Sequence, residues 1–173
     1  MILDSFFSFA LSITGNLEVP WVPTRRELIA HILRIAGVKK GLVFYDLGCG
    51  DGRVVIEAAK RGAKGVCVEI RSDLIREAIR KSIEAGVRDK IEFINADFML
   101  VDLNPADVIY MYLLTRVNAK LRPKLEKELR PGTRVVTLDF EIPGWKPIYV
   151  EKHFTNGMER KIYLYIKGIS DVR

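Results

Sequence analysis

The sequence contains no glutamine and only two cysteines and two histidines among its 173 residues. The two cysteines, Cys49 and Cys67, are too few for a disulfide scaffold and form no Cys-x-x-Cys pair of the kind that binds zinc. We therefore expect a reducing compartment, a cytoplasmic location and no thiol chemistry. The histidines, His31 and His153, stand far apart without metal-ligand spacing. We expect ordinary core or surface roles for them and no metal site.

Acidic residues are fewer than basic ones, with 22 Asp and Glu against 28 Lys and Arg. The cations are scattered or alternate with acids, as in the run from Arg116 to Arg130, which is typical of solvated helix faces with ion pairs. An anionic partner such as nucleic acid is therefore permitted but not favoured. The abundance of Lys, Arg and Glu, together with the missing glutamine, favours a thermophilic source.

No apolar run is long enough to span a bilayer, and the longest candidate, Met1 to Ile13, has too few residues. It lacks the basic region of a secretory signal, and its polar face lacks the Lys or Arg that attracts anionic lipid. We expect a helix that packs on its own domain or forms a homodimer, and membrane contact is not favoured. The predicted organisation is an N-terminal apolar helix and linker, 1–23, followed by a single domain, 24–173.

From residue 24 onward, short apolar runs alternate with amphipathic segments. Strands that alternate with helices require a mainly parallel sheet covered on both faces. Two last apolar runs around Thr155-Asn-Gly157 predict an antiparallel hairpin. Thr24, with Glu27 three residues later, predicts a capping box at the start of the first helix of this domain. The expected strands are 42–45, 65–70, 91–95, 108–114, 134–140, 148–153 and 161–166, and the expected helices end at Gly37 or span 54–59, 74–85 and 118–129.

A glycine-rich loop follows the first of these strands and reads Asp46-Leu-Gly-Cys-Gly-Asp-Gly52. Its glycines let the backbone approach a ligand, and the helix after the loop offers unpaired N–H groups. Glu69 ends the next strand at about the twenty-residue offset of an acid that binds ribose hydroxyls. The sequence therefore predicts a nucleotide site, with candidate residues Asp46, Gly48, Cys49, Gly50, Asp51, Glu69 and Ile70.

The loop does not match the pattern for a dinucleotide or a nucleoside triphosphate. The last glycine of Gly-x-Gly-x-x-Gly would fall at Arg53, and no Gly-Lys-Ser/Thr follows. Asp46 and Asp51 flank the glycines, and their carboxylates would repel a pyrophosphate. They suit a ligand that carries an amine or a sulfonium.

At this point the sequence resembles the class I S-adenosylmethionine-dependent methyltransferases. The glycine loop is similar to motif I of that family, Glu69 to its ribose-binding acid, and Asp97-Phe98 to the pair that contacts the adenine. The resemblance implies S-adenosylmethionine as the cofactor, with a further contact at Thr24. It also implies an α/β, Rossmann-like fold: a mostly parallel seven-stranded sheet with helices on both faces and an antiparallel C-terminal hairpin.

The flanking segments resemble the archaeal broad-specificity protein lysine methyltransferases. That group is similar to eukaryotic mitochondrial lysine methyltransferases and, more distantly, to the telomeric-silencing histone lysine methyltransferase. The resemblance implies proteins with accessible lysines as substrates. It rests on Val19-Pro-Trp-Val-Pro-Thr24, Leu113-Leu-Thr-Arg-Val-Asn118, the run from Pro123 to Val136 and Asp139-Phe-Glu-Ile-Pro-Gly-Trp145.

Five residues are candidates for the acceptor side of the site. The loop after strand four lacks the Asn/Asp-Pro-Pro-Tyr motif of enzymes that methylate adenine or glutamine amides, and it offers Tyr112 as a wall or hydrogen-bonding group. Asp139 and Glu141 follow strand five at the carboxyl edge, where they either attract a lysine cation or belong to an ordinary solvated loop. We assign Tyr112 and Asp139 to catalysis. Trp21 and Trp145 are candidate substrate walls, although packing is the simpler explanation of both.

The predicted reaction is methyl transfer to lysine ε-amines. A free lysine has a pKa of about 10.4, and an apolar aromatic channel beside a sulfonium charge would lower it, so a dedicated base is optional. An RNA or small-molecule methyltransferase is the alternative enzyme. A cofactor-binding module without catalysis is the alternative of another class, and the intact glycine loop, Glu69 and Tyr112 argue against it.

Overall fold

A computed structural model of the chain describes residues 21–172. Its helices are α1 (Arg26–Ile35), α2 (Arg53–Lys60), α3 (Ser72–Glu84) and α4 (Thr115–Glu128). Its strands are β1 (Val43–Leu47), β2 (Lys64–Val68), β3 (Ile91–Ile94), β4 (Val108–Met111), β5 (Arg134–Leu138), β6 (Tyr149–Thr155) and β7 (Met158–Ile166). The predicted N-terminal helix, Met1 to Ile13, lies outside the described residues. Within them, no helix is long and apolar enough to cross a bilayer.

The seven strands form one sheet in the order β3-β2-β1-β4-β5-β7-β6. β1 to β5 are parallel, and β7 runs antiparallel to both β5 and β6. The predicted fold class is confirmed. The strand order reverses between β1 and β4, and open α/β sheets bind ligands at such a switch point, beyond the carboxyl ends of the strands.

Apolar cores lie on both faces of the sheet, which explains why the parallel strands are continuous apolar runs. One core contains the buried stripe of α1, with Leu28, Ile32 and Leu33 at helical spacing, and packs on Phe44 of β1. The other core packs α4 against the opposite face, around Tyr165 of β7. These two layers fix the strand ends, and therefore the loops that follow them.

The C-terminal hairpin turns where the sequence predicted. Asn156 and Gly157 both have positive φ, 50° and 75°. This is the left-handed geometry that a two-residue hairpin turn needs and that Asn-Gly supplies. The turn brings β7 back between β5 and β6, where it fills the interior of the sheet.

The predicted capping box at Thr24 is wrong. Helix α1 begins after Arg25, which makes no side-chain capping bond. The Thr24 hydroxyl is instead 2.8 Å from the hydroxyl of Tyr110, which is buried at the end of β4. A buried hydroxyl needs a partner, so this tertiary contact takes the oxygen that a cap would use.

The expectation of two unreacted thiols is also wrong. Cys49 in the glycine loop and Cys67 in β2 form a disulfide, with their Cα atoms 5.4 Å apart. The parallel register places Asp46 beside Cys67, so the first turn after β1 lies over β2. A pairing that depends on this register has no signal in the spacing of two cysteines.

Candidate active site

A cavity of about 310 Å³ opens at the carboxyl edge of the sheet, where β1, β2 and β4 end side by side. Its size is that of a small-molecule or cofactor pocket. It brings together most of the residues selected from the sequence: Trp21, Thr24, Asp46, Gly48, Cys49, Asp51, Glu69, Ile70, Asp97, Phe98 and Tyr112. Gly50, Asp139, Glu141 and Trp145 do not line it.

Glu69 holds the glycine loop in place. Its Oε2 accepts a hydrogen bond from the backbone N–H of Gly50 at 3.0 Å, and its Oε1 accepts one from Arg71 at 2.9 Å. A Cβ on Gly50 would lie 2.3 Å from Nε1 of Trp21, so only glycine lets the tryptophan cover the loop. Gly50 therefore supports the site from behind rather than lining it.

Asp46 presents an unsatisfied carboxylate oxygen to the cavity. The side chain is buried, and Oδ2 has no hydrogen-bond partner among residues 21–172. The pKa of Asp46 is raised to about 8, chiefly by burial. A backbone N–H of Val55 acts in the opposite direction, and the nearby carboxylates of Glu69 and Asp51 contribute to the rise. A ligand with a positive group at this position would satisfy the oxygen and ionise the acid.

Asp51 is neutralised by the chain itself. Arg53 donates to it from Nε at 3.0 Å and from Nη2 at 2.7 Å, and Lys81 of α3 donates at 2.5 Å. Burial alone would raise its pKa, but these two cations hold the pKa of Asp51 at about 2. The prediction that Asp51 offers an open charge to a cationic ligand is therefore wrong. Its ion pairs instead connect the loop to α3 and, through a bond of Arg53 to the Thr24 carbonyl, to the residues before α1.

The far side of the cavity has an exposed apolar surface. Ile70 and Met99 are 57% and 39% exposed, and Phe98 lies beside Met99. The carboxylate of Asp97 accepts the N–H of Met99 at 2.9 Å and fixes this short turn. The side chain of Asn95 donates to the carbonyls of Glu69 and Ile70 and fixes the loop that carries Ile70. Large exposed side chains held this way suit a flat apolar ring such as a base.

On the acceptor side, Arg160 of β7 donates to the hydroxyl of Tyr112 at 2.8 Å and to Asp139 from Nε at 2.8 Å. Asp139 and Arg160 are each 5% exposed in their side chains, and Asp139 has a positive φ of 62°. Burial raises the pKa of Tyr112 to about 12 against the opposing effect of Arg160, so the phenol stays protonated at neutral pH. The prediction that Asp139 attracts a lysine is wrong, because Arg160 already neutralises it.

Two other predicted acceptor residues lie away from the cavity. Trp145 is 4% exposed, donates from Nε1 to Glu126 at 3.1 Å and packs edge-on against Tyr165. It is a core residue, and the substrate-wall prediction is wrong. Glu141 is exposed on the surface beyond β5.

The roles of Arg53, Lys81 and Arg160 in the site were not predicted from the sequence. Each acts on a carboxylate that the sequence did single out, but from another element of the fold. Arg160 is 21 residues from Asp139 and 48 from Tyr112. Only Arg53, which directly follows the glycine loop, carried a local signal, since it lies two residues from Asp51.

Comparison with known proteins agrees with this geometry. Residues 46–149 match the model of the ANTKMT methyltransferase domain. A protein-lysine N-methyltransferase of Saccharolobus islandicus (strain REY15A) is 47% identical over 153 residues, which cover 87% of this chain and 95% of that protein. The chain belongs to the ANTKMT methyltransferase family. Its predicted membership of the class I methyltransferases, with a resemblance to archaeal lysine methyltransferases, is confirmed.

Other similar proteins differ in length and in the acceptor that their names give. The adenine nucleotide translocase lysine N-methyltransferase of Mus musculus is 30% identical over 78% of this chain, and the match spans 59% of that protein. A solved structure described as an RNA methyltransferase from Salinibacter ruber in complex with S-adenosyl-L-homocysteine is 42% identical. Its TM-score is 0.78, and the match covers 84% of this chain and 93% of that one.

The family match leaves out both ends of the site. It includes the glycine loop, Glu69, Tyr112 and Asp139, but Thr24 lies before residue 46 and Arg160 after residue 149. Thr24 and Arg160 nonetheless hold the hydroxyls of Tyr110 and Tyr112, neighbours on β4 and just beyond it. We refer to Tyr110 and Tyr112, which both line the cavity, as the acceptor wall. The segments outside the match therefore complete it.

Proposed function

We propose that this chain transfers the methyl group of S-adenosylmethionine to the ε-amines of lysine side chains in proteins. The observation that carries the proposal is the 47% identity to a protein-lysine N-methyltransferase across 95% of that protein's length. Because the match covers 87% of this chain, it extends over both the cofactor side and the acceptor side of the cavity.

The residues of the cavity fit S-adenosylmethionine. The orphaned Oδ2 of Asp46 suits the ammonium group of the cofactor, Glu69 suits the ribose hydroxyls, and the surface of Ile70, Phe98 and Met99 suits the adenine. When bound, the cofactor supplies an electrophilic methyl on a sulfonium. The predicted contact at Thr24 is consistent with its position on the cavity wall.

The chain's own contribution to the reaction is to orient and desolvate the amine. Tyr112, Leu113 and Val117 line the acceptor end with largely apolar surface, which lowers the pKa of an entering amine. The hydroxyl of Tyr112 is fixed by Arg160, so the wall holds one geometry. Alignment of nucleophile and methyl lowers the barrier without an acid or base in the chain. The amine releases its proton to solvent on entry.

Methyl transfer to RNA is the second candidate, and one observation favours it. The Salinibacter ruber protein, described as an RNA methyltransferase, is 42% identical over 84% of this chain. The excess of six positive charges is compatible with a polyanion. Against it, the residues after β4, Tyr112 to Thr115, include no amide and no proline to hold a planar base.

In the deciding experiment, the purified chain and methyl-labelled S-adenosylmethionine are incubated in two separate reactions. One contains the protein fraction of a cell extract, and the other contains the RNA fraction. We expect label in protein, as methylated lysine with mass steps of roughly 14 daltons. Glu69→Ala should abolish labelling, and Glu92→Ala, on the exposed face of β3, should not. Label in RNA nucleotides with unmodified lysine would establish the second candidate. Cofactor binding without label in either fraction would identify a non-catalytic module.

A further inference from the structure

Both histidines of the chain lie in one cluster with Glu151, and none of the three lines the cavity. His31 is in α1, and Glu151 and His153 are in β6. The imidazole centroids are 4.1 Å apart, although 121 residues separate the two histidines in the sequence. The Glu151 Oε1 atom lies 2.6 Å from Nε2 of His153 and 3.3 Å from Nδ1 of His31.

The Nδ1 atom of His31 is buried and makes no hydrogen bond within residues 21–172. The nearby Glu151 oxygen is within charge-pair distance but not in hydrogen-bond geometry. A buried polar atom without a partner is costly and calls for an explanation. An imidazole nitrogen without a hydrogen-bond partner, next to a second imidazole and a carboxylate, is an arrangement that binds metal ions in proteins.

We propose that His31, Glu151 and His153 form a three-ligand site for a divalent transition metal such as Zn²⁺. One ligand atom from each residue lies within 4.8 Å of the other two. Zinc bonds of 2.0–2.2 Å place tetrahedral ligands roughly 3.3 Å apart. The His31–Glu151 separation already has this value, and the His153–Glu151 separation has to widen by about 0.7 Å. Water takes the fourth position.

Arg34 and Tyr149 surround the carboxylate of the site. Tyr149 donates to Oε2 of Glu151 at 2.9 Å, which orients the carboxylate and leaves Oε1 for the metal. Arg34 contacts both oxygens, at 2.7 and 2.6 Å. Its guanidinium therefore competes with a metal for Oε1. Because the Arg34 side chain is 57% exposed, it can withdraw to solvent when a metal binds.

The site would join two elements that complete the acceptor wall. α1 begins two residues after Thr24, whose hydroxyl contacts that of Tyr110. His153 on β6 is the register partner of Arg160 on β7, which holds Tyr112. A metal bound to both α1 and β6 therefore acts as a structural clamp, and it stabilises the folded chain by mass action. It does not enter the methyl-transfer reaction.

The test titrates the chelator-stripped chain, without reductant so that the disulfide stays closed, with Co²⁺ and then with Zn²⁺. We expect one equivalent of Co²⁺ with the visible spectrum of tetrahedral coordination, displacement by Zn²⁺ and a rise in Tm with metal. His31→Ala and His153→Ala should each weaken binding at least 100-fold, since each removes a ligand. Arg34→Met should tighten it several-fold, because it removes the competing cation. The double histidine variant, which has no imidazole, measures non-specific binding.

The alternative is a simple ion-pair cluster, which binds no metal. Native protein that binds no more Co²⁺ than the double histidine variant would overturn the proposal, as would weaker binding by Arg34→Met. If a histidine variant does not fold, a measurement on the native chain still tests the proposed metal site. It has only two imidazoles, and the nitrogen resonances of both should shift with one equivalent of Zn²⁺. Resonances that stay unchanged would refute the site.

Discussion

Arg160 forms a buried ion pair with Asp139 and, with the same guanidinium, holds the hydroxyl of Tyr112 at 2.8 Å. The backbone of Asp139 is fixed as well, since its N–H donates to the Lys161 carbonyl at 2.7 Å and its Oδ1 accepts the Lys161 N–H at 3.1 Å. These contacts offset the unfavourable positive φ of a non-glycine residue. The acceptor wall therefore depends on a hairpin strand distant in sequence.

Arg160→Met should lower the free energy of unfolding by about 3–5 kcal/mol, because it leaves the Asp139 carboxylate buried without its partner. Urea denaturation measures this loss. Asp139→Asn added to Arg160→Met should recover part of it, since the unpaired charge is then removed. Lys152→Met, which breaks an exposed pair with Glu159, is the matched control and should change little. Equal effects at both positions would contradict the buried-pair interpretation.

Glu69→Gln should weaken the binding of S-adenosylhomocysteine by about 1.5–3 kcal/mol, or roughly 10- to 150-fold, the range for a hydrogen bond to a charged group. It also removes one acceptor from the Gly50 and Arg71 N–H groups, so the loop should loosen. Calorimetric titration gives the affinity, and Glu92→Gln on β3 is the control. An unchanged affinity of Glu69→Gln for S-adenosylhomocysteine would show that Glu69 does not contribute to cofactor binding.

Cofactor binding near pH 7 should release a proton from Asp46. Its pKa in the free protein is raised to about 8, chiefly by burial, so the acid is mostly protonated at pH 7, and a cationic ligand next to Oδ2 favours the ionised form. Affinity should therefore rise with pH up to about 8. Calorimetry in buffers of different ionisation enthalpy counts the protons. Asp46→Asn should abolish the release, and the exposed-site control Asp89→Asn should keep it.

The same raised pKa makes the folding stability of the free protein depend on pH. Between about pH 4 and pH 8 the unfolded chain ionises Asp46 while the folded chain keeps it protonated, so the contribution of this group to stability falls as pH rises through that window. Denaturation of Asp46→Asn should show a flatter profile. A native stability that rises over this window relative to Asp46→Asn would contradict the assigned shift.

Thr24→Val should cost about 1–3 kcal/mol of folding stability, because the Tyr110 hydroxyl loses its partner while remaining buried. Tyr110→Phe removes the same bond from the other side. In a double-mutant cycle, the combined variant should therefore lose less than the sum of the two single losses. Additive losses would show that the two hydroxyls do not interact.

Opening the Cys49–Cys67 disulfide should lower stability by about 3 kcal/mol, the size expected for a closed loop of similar length, with 18 residues of sequence separation here. Urea denaturation with and without reductant measures this, and Cys49→Ser/Cys67→Ser should match the reduced protein and be insensitive to reductant. Thiol alkylation of the denatured, unreduced chain should find no free thiol. Two labelled thiols would contradict the Cys49–Cys67 disulfide.

The fold was predictable because its determinants are local. Continuous apolar runs identified every strand of the sheet, and Asn156-Gly157 identified the hairpin, although several strands were predicted longer than they are. The strand β4 ends at Met111, for example, where the apolar run continues to Leu114. The run extends past the strand because Leu113 packs into the core from the loop, so its burial does not require strand geometry.

That the glycine loop and Glu69 meet around one cavity was predictable for the same reason, since Asp46 to Gly52 and Glu69 lie at fixed offsets from strand ends. Contacts between distant segments could not be predicted from the sequence. Arg160 neutralises Asp139, Cys49 bonds Cys67, and His31 meets His153, and each pairing depends on the register or packing of separate elements. Trp145 shows a different limit, because an aromatic residue near a site has the same sequence signature in a core. The cytoplasmic location, the thermophilic source and the homodimer stay predictions.

The strand order has a consequence for how the enzyme is made. Among the strands within residues 21–172, β7 comes last in the sequence but lies between β5 and β6, so its insertion follows the synthesis of the other six. Chains emerge from the ribosome N-terminus first. The glycine loop and Glu69 can therefore assemble while Arg160 is still untranslated. A nascent chain that ends before Met158 carries the cofactor-binding elements without the side chain that fixes Tyr112. The acceptor wall is thus completed only after the cofactor-binding elements have been synthesised.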